Sequence, residues 1–175
     1  MQIKISLQDE VLKRFGNQLA ALGNGQAKVA MSRALNHEGD KGRTQVKRVL
    51  VKQTGIKYGK SNKAVKTINS TPATLVYTIE ASGDETNLGL FGARQGKKGV
   101  SAAPWGKRRV FPHTFLVHGK VYRREGKARL PIKGLFGPNI AREIVKDESA
   151  EAFRTGSANI ADRVGHEVAR MLEGV

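Results

Sequence analysis

The four histidines and the carboxylates are the side chains of this chain that could hold a metal ion or transfer protons. His37, His113, His118 and His166 form neither an HExxH motif nor a pair four residues apart, and their spacing fits no zinc finger. A nuclease would need clustered carboxylates to bind Mg²⁺, yet the two most basic stretches contain only Glu125. The chain has no cysteine, which excludes thiolate nucleophiles and disulfides. We therefore predict no metal site and no cofactor.

Motifs for phosphate binding and nucleophilic catalysis are incomplete. Gly59-Lys60-Ser61 is similar to the end of a phosphate-binding loop, but the preceding Gly55 leaves the motif one residue short. A helical pattern, rather than a strand, also leads into it. No serine lies in a GxSxG context. We predict that the protein is not an enzyme and has no catalytic residue.

The charge of the chain is strongly positive and unevenly distributed. Thirty-one Lys and Arg against fifteen Asp and Glu give the 175 residues a net charge of +16. Residues 41–66, the first basic segment, carry nine basic and no acidic groups; residues 94–133, the second basic segment, carry twelve and one. The rest of the chain has a net charge of −4. The like charges within each segment repel one another unless a negative group lies nearby. We therefore predict a polyanion or an acidic protein as partner, with a solvated basic face as the alternative.

The candidate contact residues are the cations of these two segments. Phosphate contacts need only charge, so they provide salt-dependent affinity without base recognition. In the second segment, with its flanking strands, the candidates are Arg94, Lys97, Lys98, Lys107, Arg108, Arg109, Arg123 and Arg124. In the first segment they are Lys41, Arg43, Lys47, Arg48, Lys52, Lys57 and Lys60.

The basic segments also contain aromatic residues that could stack on nucleic-acid bases. They are Tyr58, Trp105, Phe111, Phe115 and Tyr122, and no RNP-type motif accompanies them. We interpret most of them as core residues.

Helical periodicity predicts elements at both ends of the chain. Apolar residues recur at helical spacing over 7–22, and a second pattern runs from 25 to 54, where Gly39 and Gly42 predict a soft or kinked centre. A third pattern predicts an amphipathic helix over 147–173.

The middle of the chain predicts short antiparallel strands. A β-hairpin is expected over 63–68 and 75–80, followed by a glycine-rich basic loop at about 89–110 that is flexible or becomes ordered on assembly. Further strands are predicted at 100–103, 109–111, 114–117 and 120–124, with an edge strand at 129–132 and a tight turn at His118-Gly119. We predict one α+β domain over 1–175, a mostly antiparallel sheet flanked by N-terminal helices and a C-terminal amphipathic helix. Without a signal-like start or a long apolar run, it is expected to be soluble, with no membrane partner.

Several sequence features follow one another in an order that resembles a known family. They are an Ala-rich helical segment, VAMSRALNHEGDKGRTQVKRVL, the loop FGARQGKKGV, the strand of FPHTFLV with Phe115, and VYRREGKARLPIKGLFGPNI before a closing helix. In this order the chain resembles the phage minor tail protein Z family, the tail completion proteins, over residues 25–172. The most specific parts are the RALN helix, the strand that contains Phe115, and the R-x-G-K-x-R-L-P-I run followed by GPNI. None of these motifs is catalytic.

The resemblance implies a structural role in a virion assembled in the host cytoplasm. Such a protein lies at the head-proximal end of the tail, next to the tail terminator, and takes part in joining tail to head. The resemblance also implies a homo-oligomer, commonly a hexameric ring, with tail terminator and head-completion or connector proteins as neighbours. Genomic DNA would pass through the lumen without sequence-specific contact.

Composition alone leaves a second class of function open. A non-sequence-specific, basic nucleic-acid-binding protein of cellular type would carry a similar charge. Affinity of a lone subunit for duplex DNA, with a steep salt dependence, would favour that alternative.

Overall fold

The structure is a computed structural model that describes residues 1–7 and 9–173, without the side chains of residues 9–11 and 147. Position 8 of the predicted first helix lies outside the described residues. The helices are α1 Asp9–Arg14, α2 Gly16–Thr54, α3 Tyr58–Ala64, α4 Ile140–Glu143, α5 Asp147–Gly156 and α6 Ile160–Leu172. The strands are β1 Gln2–Ser6, β2 Val65–Ile68, β3 Val76–Ala81, β4 Arg94–Gly96, β5 Gly99–Ala102, β6 Arg109–Pro112, β7 Thr114–Val117, β8 Lys120–Arg124 and β9 Ile132–Gly134.

In the described part of the chain, nine strands form three small antiparallel sheets. Their strand orders are β1-β3-β2, β4-β5-β6 and β7-β8-β9. The α+β class is therefore confirmed, with the β structure divided among three sheets. The hairpin of β2 and β3 is confirmed as well, with Val65 opposite Ala81 and Ile68 opposite Thr78.

Helix α2 runs through both of its central glycines without interruption. A Cβ on Gly39 would lie 2.5 Å from the Tyr77 ring, and a Cβ on Gly42 would lie 2.6 Å from the Phe153 ring. The glycines therefore serve close packing, and the prediction of a soft or kinked centre is wrong. The break lies at Gly23, where φ is 76° and ψ is 157°.

Two buried clusters hold the elements together. The larger cluster joins the C-terminal half of α2 to all three sheets and to α4 and α5, and includes Leu50, Tyr77, Val100, Val121 and Phe153. The smaller cluster packs the N-terminal half of α2 against α6. Helix α2 is thus common to both clusters.

Some predicted boundaries differ from those of the structure. The helix predicted over 147–173 is two helices, and Ser157 after α5 donates its hydroxyl to the Phe153 carbonyl oxygen at 2.6 Å. The edge strand begins at Ile132, after Pro131, which has no N–H to donate. The His118-Gly119 turn is confirmed, with φ of 46° and 74°.

Among the described residues, no helix is both long enough and apolar enough to cross a membrane.

Candidate nucleic-acid and partner interface

The candidate cations of the second basic segment lie on β4–β6, on β8 and on the turns beside them. All eight are exposed. No Lys or Arg between positions 44 and 133 forms an ion pair with a carboxylate whose side chain the structure describes. The segment therefore presents positive charge that the described part of the chain does not neutralise.

The glycine-rich stretch predicted as a flexible loop contains a β-hairpin. Strand β4 pairs with β5 so that Arg94 lies opposite Ser101, and the Lys97-Lys98 pair forms the connecting turn. Phe91, Val100 and Ala102 from the same stretch belong to the larger buried cluster, which the sequence did not predict. Ordering of the stretch on assembly stays a prediction.

Arg108 and Arg109 have partners within their own surface. The Arg108 guanidinium donates to the Gly92 carbonyl oxygen at 3.2 Å and to the Ser101 hydroxyl at 3.1 Å. The Arg109 guanidinium lies over the Trp105 and Phe111 rings, 5.6 and 5.2 Å from their centroids. By contrast, Lys97, Lys98 and Lys107 make no such side-chain contact with the described residues, so their charge is available to a partner.

Arg123 and Arg124 point to opposite faces of β8, as successive residues of a strand do. Arg124 lies over the Phe115 ring, 5.5 Å from its centroid. Arg123 pairs in register with Lys133 on β9, so two cations lie side by side at that edge of the sheet. Neither cation forms an ion pair with a described carboxylate, so the pair favours an anion.

The first basic segment does not act as one surface. Lys41 pairs with Glu38 at 2.7 Å and Arg43 with Asp40 at 3.3 Å. Lys47 is buried and donates to the Asn62 side-chain oxygen at 2.6 Å; its burial lowers its pKa, and the nearby Arg43 lowers it further. The charges of Lys41 and Arg43 are therefore balanced by neighbouring carboxylates, and Lys47 supports packing. The exposed cations of the segment that form no ion pair with a described carboxylate are Arg48, Lys52, Lys57, Lys60, Lys63 and Lys66.

The aromatic residues of the basic segments are not core residues. Tyr58 and Trp105 are 51% and 39% exposed, and Phe111, Phe115 and Tyr122 are only partly buried. The interpretation of most of them as core is wrong, because the core takes its aromatic rings from Tyr77, Phe91 and Phe153 instead. Sequence patterning did not separate the two groups, since both lie in strands or beside apolar residues.

The buried carboxylates serve internal contacts. Glu143 accepts from the Gln53 amide at 2.7 Å, the Trp105 indole at 3.2 Å and the Lys146 ammonium at 2.6 Å. Glu167 accepts from Arg163 and Arg170. Where side chains are described, no three His, Asp or Glu residues lie close enough together to share a metal ion.

Comparisons with protein-family models, with curated proteins and with solved structures found no match.

Proposed function

We propose that this protein is a structural virion subunit, a tail completion protein that forms a ring at the junction of phage head and tail. The proposal starts from the resemblance of residues 25–172 to the minor tail protein Z family. The observation that supports it further is the unneutralised positive charge of the second basic segment. DNA in the lumen of the ring, or acidic neighbouring proteins, would balance this charge.

The mechanism is geometric. Copies of the subunit would bury apolar faces against one another and against the adjacent ring, while exposed cations approach DNA or acidic neighbours. Large exposed apolar side chains such as Leu90, Val110 and Leu130, between 54% and 66% exposed, are available for such contacts. Lys97, Lys98 and Lys107 lack internal partners and are the groups we expect to face the DNA path.

The test neutralises these three lysines in the phage or prophage that carries the gene. Because Lys97→Gln, Lys98→Gln and Lys107→Gln break no internal contact, the triple variant is expected to fold normally. We expect infectious titre to fall at least about tenfold while heads and tails are still made. Plaque assays and electron microscopy of the particles measure the effect.

A matched control removes the same charge elsewhere. Lys4, Lys13 and Lys28 are exposed and lie outside both basic segments, so their triple Gln variant should keep the parental titre. Normal infectivity after deletion of the whole gene would contradict the proposed function.

One observation favours the second candidate, a nucleic-acid-binding protein of cellular type. Arginines lie over exposed or partly exposed aromatic rings at Trp105, Phe111 and Phe115, an arrangement also suited to binding bases. Tight binding of duplex DNA by the lone subunit, together with an unimpaired phage, would support this candidate.

A further inference from the structure

The outer face of the β7-β8-β9 sheet is apolar, aromatic and cationic. The register of the strands places Phe115, Val117, Tyr122, Arg124 and Ile132 on this face, because paired residues and residues two apart share a side. Val117 and Ile132 are 37% and 40% exposed. The opposite face carries Thr114 and Val121, which are buried, so the sheet is covered on one side only.

Three aromatic rings cross this face from strand to strand. Phe115 and Tyr122 are stacked, with ring centroids 6.3 Å apart and an interplanar angle of 29°. Tyr122 lies opposite Gly134 on β9, and a Cβ on Gly134 would lie 3.2 Å from the Phe136 ring. The Phe136 ring therefore packs over Gly134, the residue opposite Tyr122, and it is 51% exposed.

Positive charge surrounds this aromatic row. Lys120 and Arg124 lie on the face itself, whereas Arg123 and Lys133 lie on the opposite face of the same strands. The carboxylates near this end of the sheet are Glu125 and Glu85, and Glu85 is already paired with Arg142 at 3.1 Å. Cations thus outnumber the nearby free carboxylate, and the charge of the face complements an anion.

We infer that this face binds single-stranded nucleic acid. Aromatic rings spaced across neighbouring strands stack on unpaired bases, and the cations around them hold the phosphates. In a duplex the bases are stacked on one another, so the same row would gain only the phosphate contacts. For the purified chain, a second copy is disfavoured as occupant, because two subunits of net charge +16 repel each other when no polyanion neutralises them. The inference does not depend on the proposed virion role.

The test measures binding by the purified full chain. A short fluorescein-labelled oligothymidylate is titrated with protein and followed by fluorescence anisotropy, beside a hairpin duplex of equal charge. We expect the single strand to bind at least about tenfold more tightly than the duplex. Phe136→Leu and Phe115→Leu should each weaken single-strand binding by about tenfold, the effect of losing one stacked base, and leave duplex binding unchanged.

The matched control is Tyr58→Leu. Tyr58 lies among lysines of the first basic segment and has the same exposed fraction as Phe136, 51%, but it is on α3 rather than on this face. Its substitution should leave single-strand affinity at the wild-type value. Because Phe136 is a surface residue, unchanged circular dichroism is expected for its variant, so a loss of affinity cannot be attributed to unfolding.

Three results would overturn the inference. They are equal affinity for the two nucleic acids, equal effects of Phe136→Leu and Tyr58→Leu, and no detectable binding of either nucleic acid. Self-association of the chain that Phe136→Leu abolishes, in the absence of nucleic-acid binding, would make the face a subunit interface instead.

Discussion

The side-chain amides of Asn36 and Asn87 each form two hydrogen bonds with the backbone of one residue, as a neighbouring strand would. Each amide donates to that residue's carbonyl oxygen and accepts from its N–H. The Asn36 amide donates to the Ser70 carbonyl oxygen at 3.0 Å and accepts from the Ser70 N–H at 2.7 Å. Asn87 makes the same pair of hydrogen bonds with Val121, at 3.3 and 2.8 Å. Asn36 therefore links α2 to the turn before β3.

Tyr77 provides a prediction about pH at the residue scale. Its buried hydroxyl donates to Asp40 at 2.8 Å, and burial, helped by this carboxylate, raises the pKa of Tyr77 well above its usual value. A raised pKa in the folded state stabilises the fold fully below the pKa of an unfolded tyrosine, about 10, and that contribution falls as the pH rises further. The free energy of unfolding should fall as the pH rises above about 10, and we expect it to fall less in Tyr77→Phe than in the wild type. Urea denaturation at several pH values measures this difference.

The control for this pH profile is Tyr58→Phe. Tyr58 is half exposed, and its variant should follow the wild-type curve above pH about 10. Lys47, whose pKa is lowered, contributes with the opposite sign, but it is common to all three proteins. A Tyr77→Phe curve that falls as steeply as the wild-type curve would contradict the prediction.

Helix α2 organises the fold at the scale of elements. It contributes to both buried clusters, and its glycines bring it close to β3 and α5. A Cβ on Gly156 of α5 would in turn lie 2.8 Å from the Gly42 Cα, so the two helices meet through glycines on both sides. Such an approach leaves no room for the methyl group that helix propensity alone would favour.

The glycines of α2 provide a prediction with a control in the same helix. Gly39→Ala should lower the free energy of unfolding by about 1 to 3 kcal/mol, because the methyl group would overlap the Tyr77 ring. Gly25→Ala, with no neighbouring atom within 4 Å of the new Cβ, should raise it by up to about 1 kcal/mol. Thermal or urea denaturation measures both. Stabilisation by both substitutions would show that Gly39 is not a packing site.

The sequence predicted most of the strands and the α+β class because alternation and turn residues are local signals. Val65–Ile68 pairs with Val76–Ala81 as expected, and the chain turns at His118 and Gly119. The packing of Gly39 against Tyr77 was not predictable, since the two residues are 38 positions apart. Strand β1 was missed as well, because five residues with only Ile3 and Ile5 partly buried give a weak pattern.

The sequence predicted the exposed cations of the candidate site but not its exposed aromatic rings. Counting Lys and Arg located the second basic segment, and its cations are exposed. The outer face of the β7-β8-β9 sheet depends on the register that aligns Tyr122 with Phe115 and Gly134. Periodicity does not specify that register, and Phe136 lies outside any strand, so the sequence did not indicate that its ring packs over Gly134.

At the scale of the whole molecule, paired and unpaired charges occupy different parts of the chain. The ion pairs of the described side chains involve α1, α2 and the helices after β9, as Arg154 with Glu151 and Arg163 with Glu167 illustrate. The cations between positions 44 and 133 have none. Added salt should therefore weaken any binding through the sheets while changing the folded state little.

This charge also provides a prediction about association. Because the net charge is +16, the purified chain is expected to be monomeric or weakly associated at physiological salt. Light scattering at several protein concentrations measures the molar mass. Association should increase when an acidic partner or nucleic acid is added. A stable hexamer of the chain alone would contradict this prediction.

The tip of the β7-β8 hairpin is held against the protein body at Gly89, where a Cβ would overlap the Gly119 carbonyl oxygen. The hydrogen bonds of Asn87 to Val121 fix the same hairpin nearer its middle. The sheet is therefore preorganised: its orientation is set when the chain folds, and a ligand on its outer face would not have to immobilise it. Affinity at that face should depend on the ligand's own loss of conformational freedom more than on the protein's.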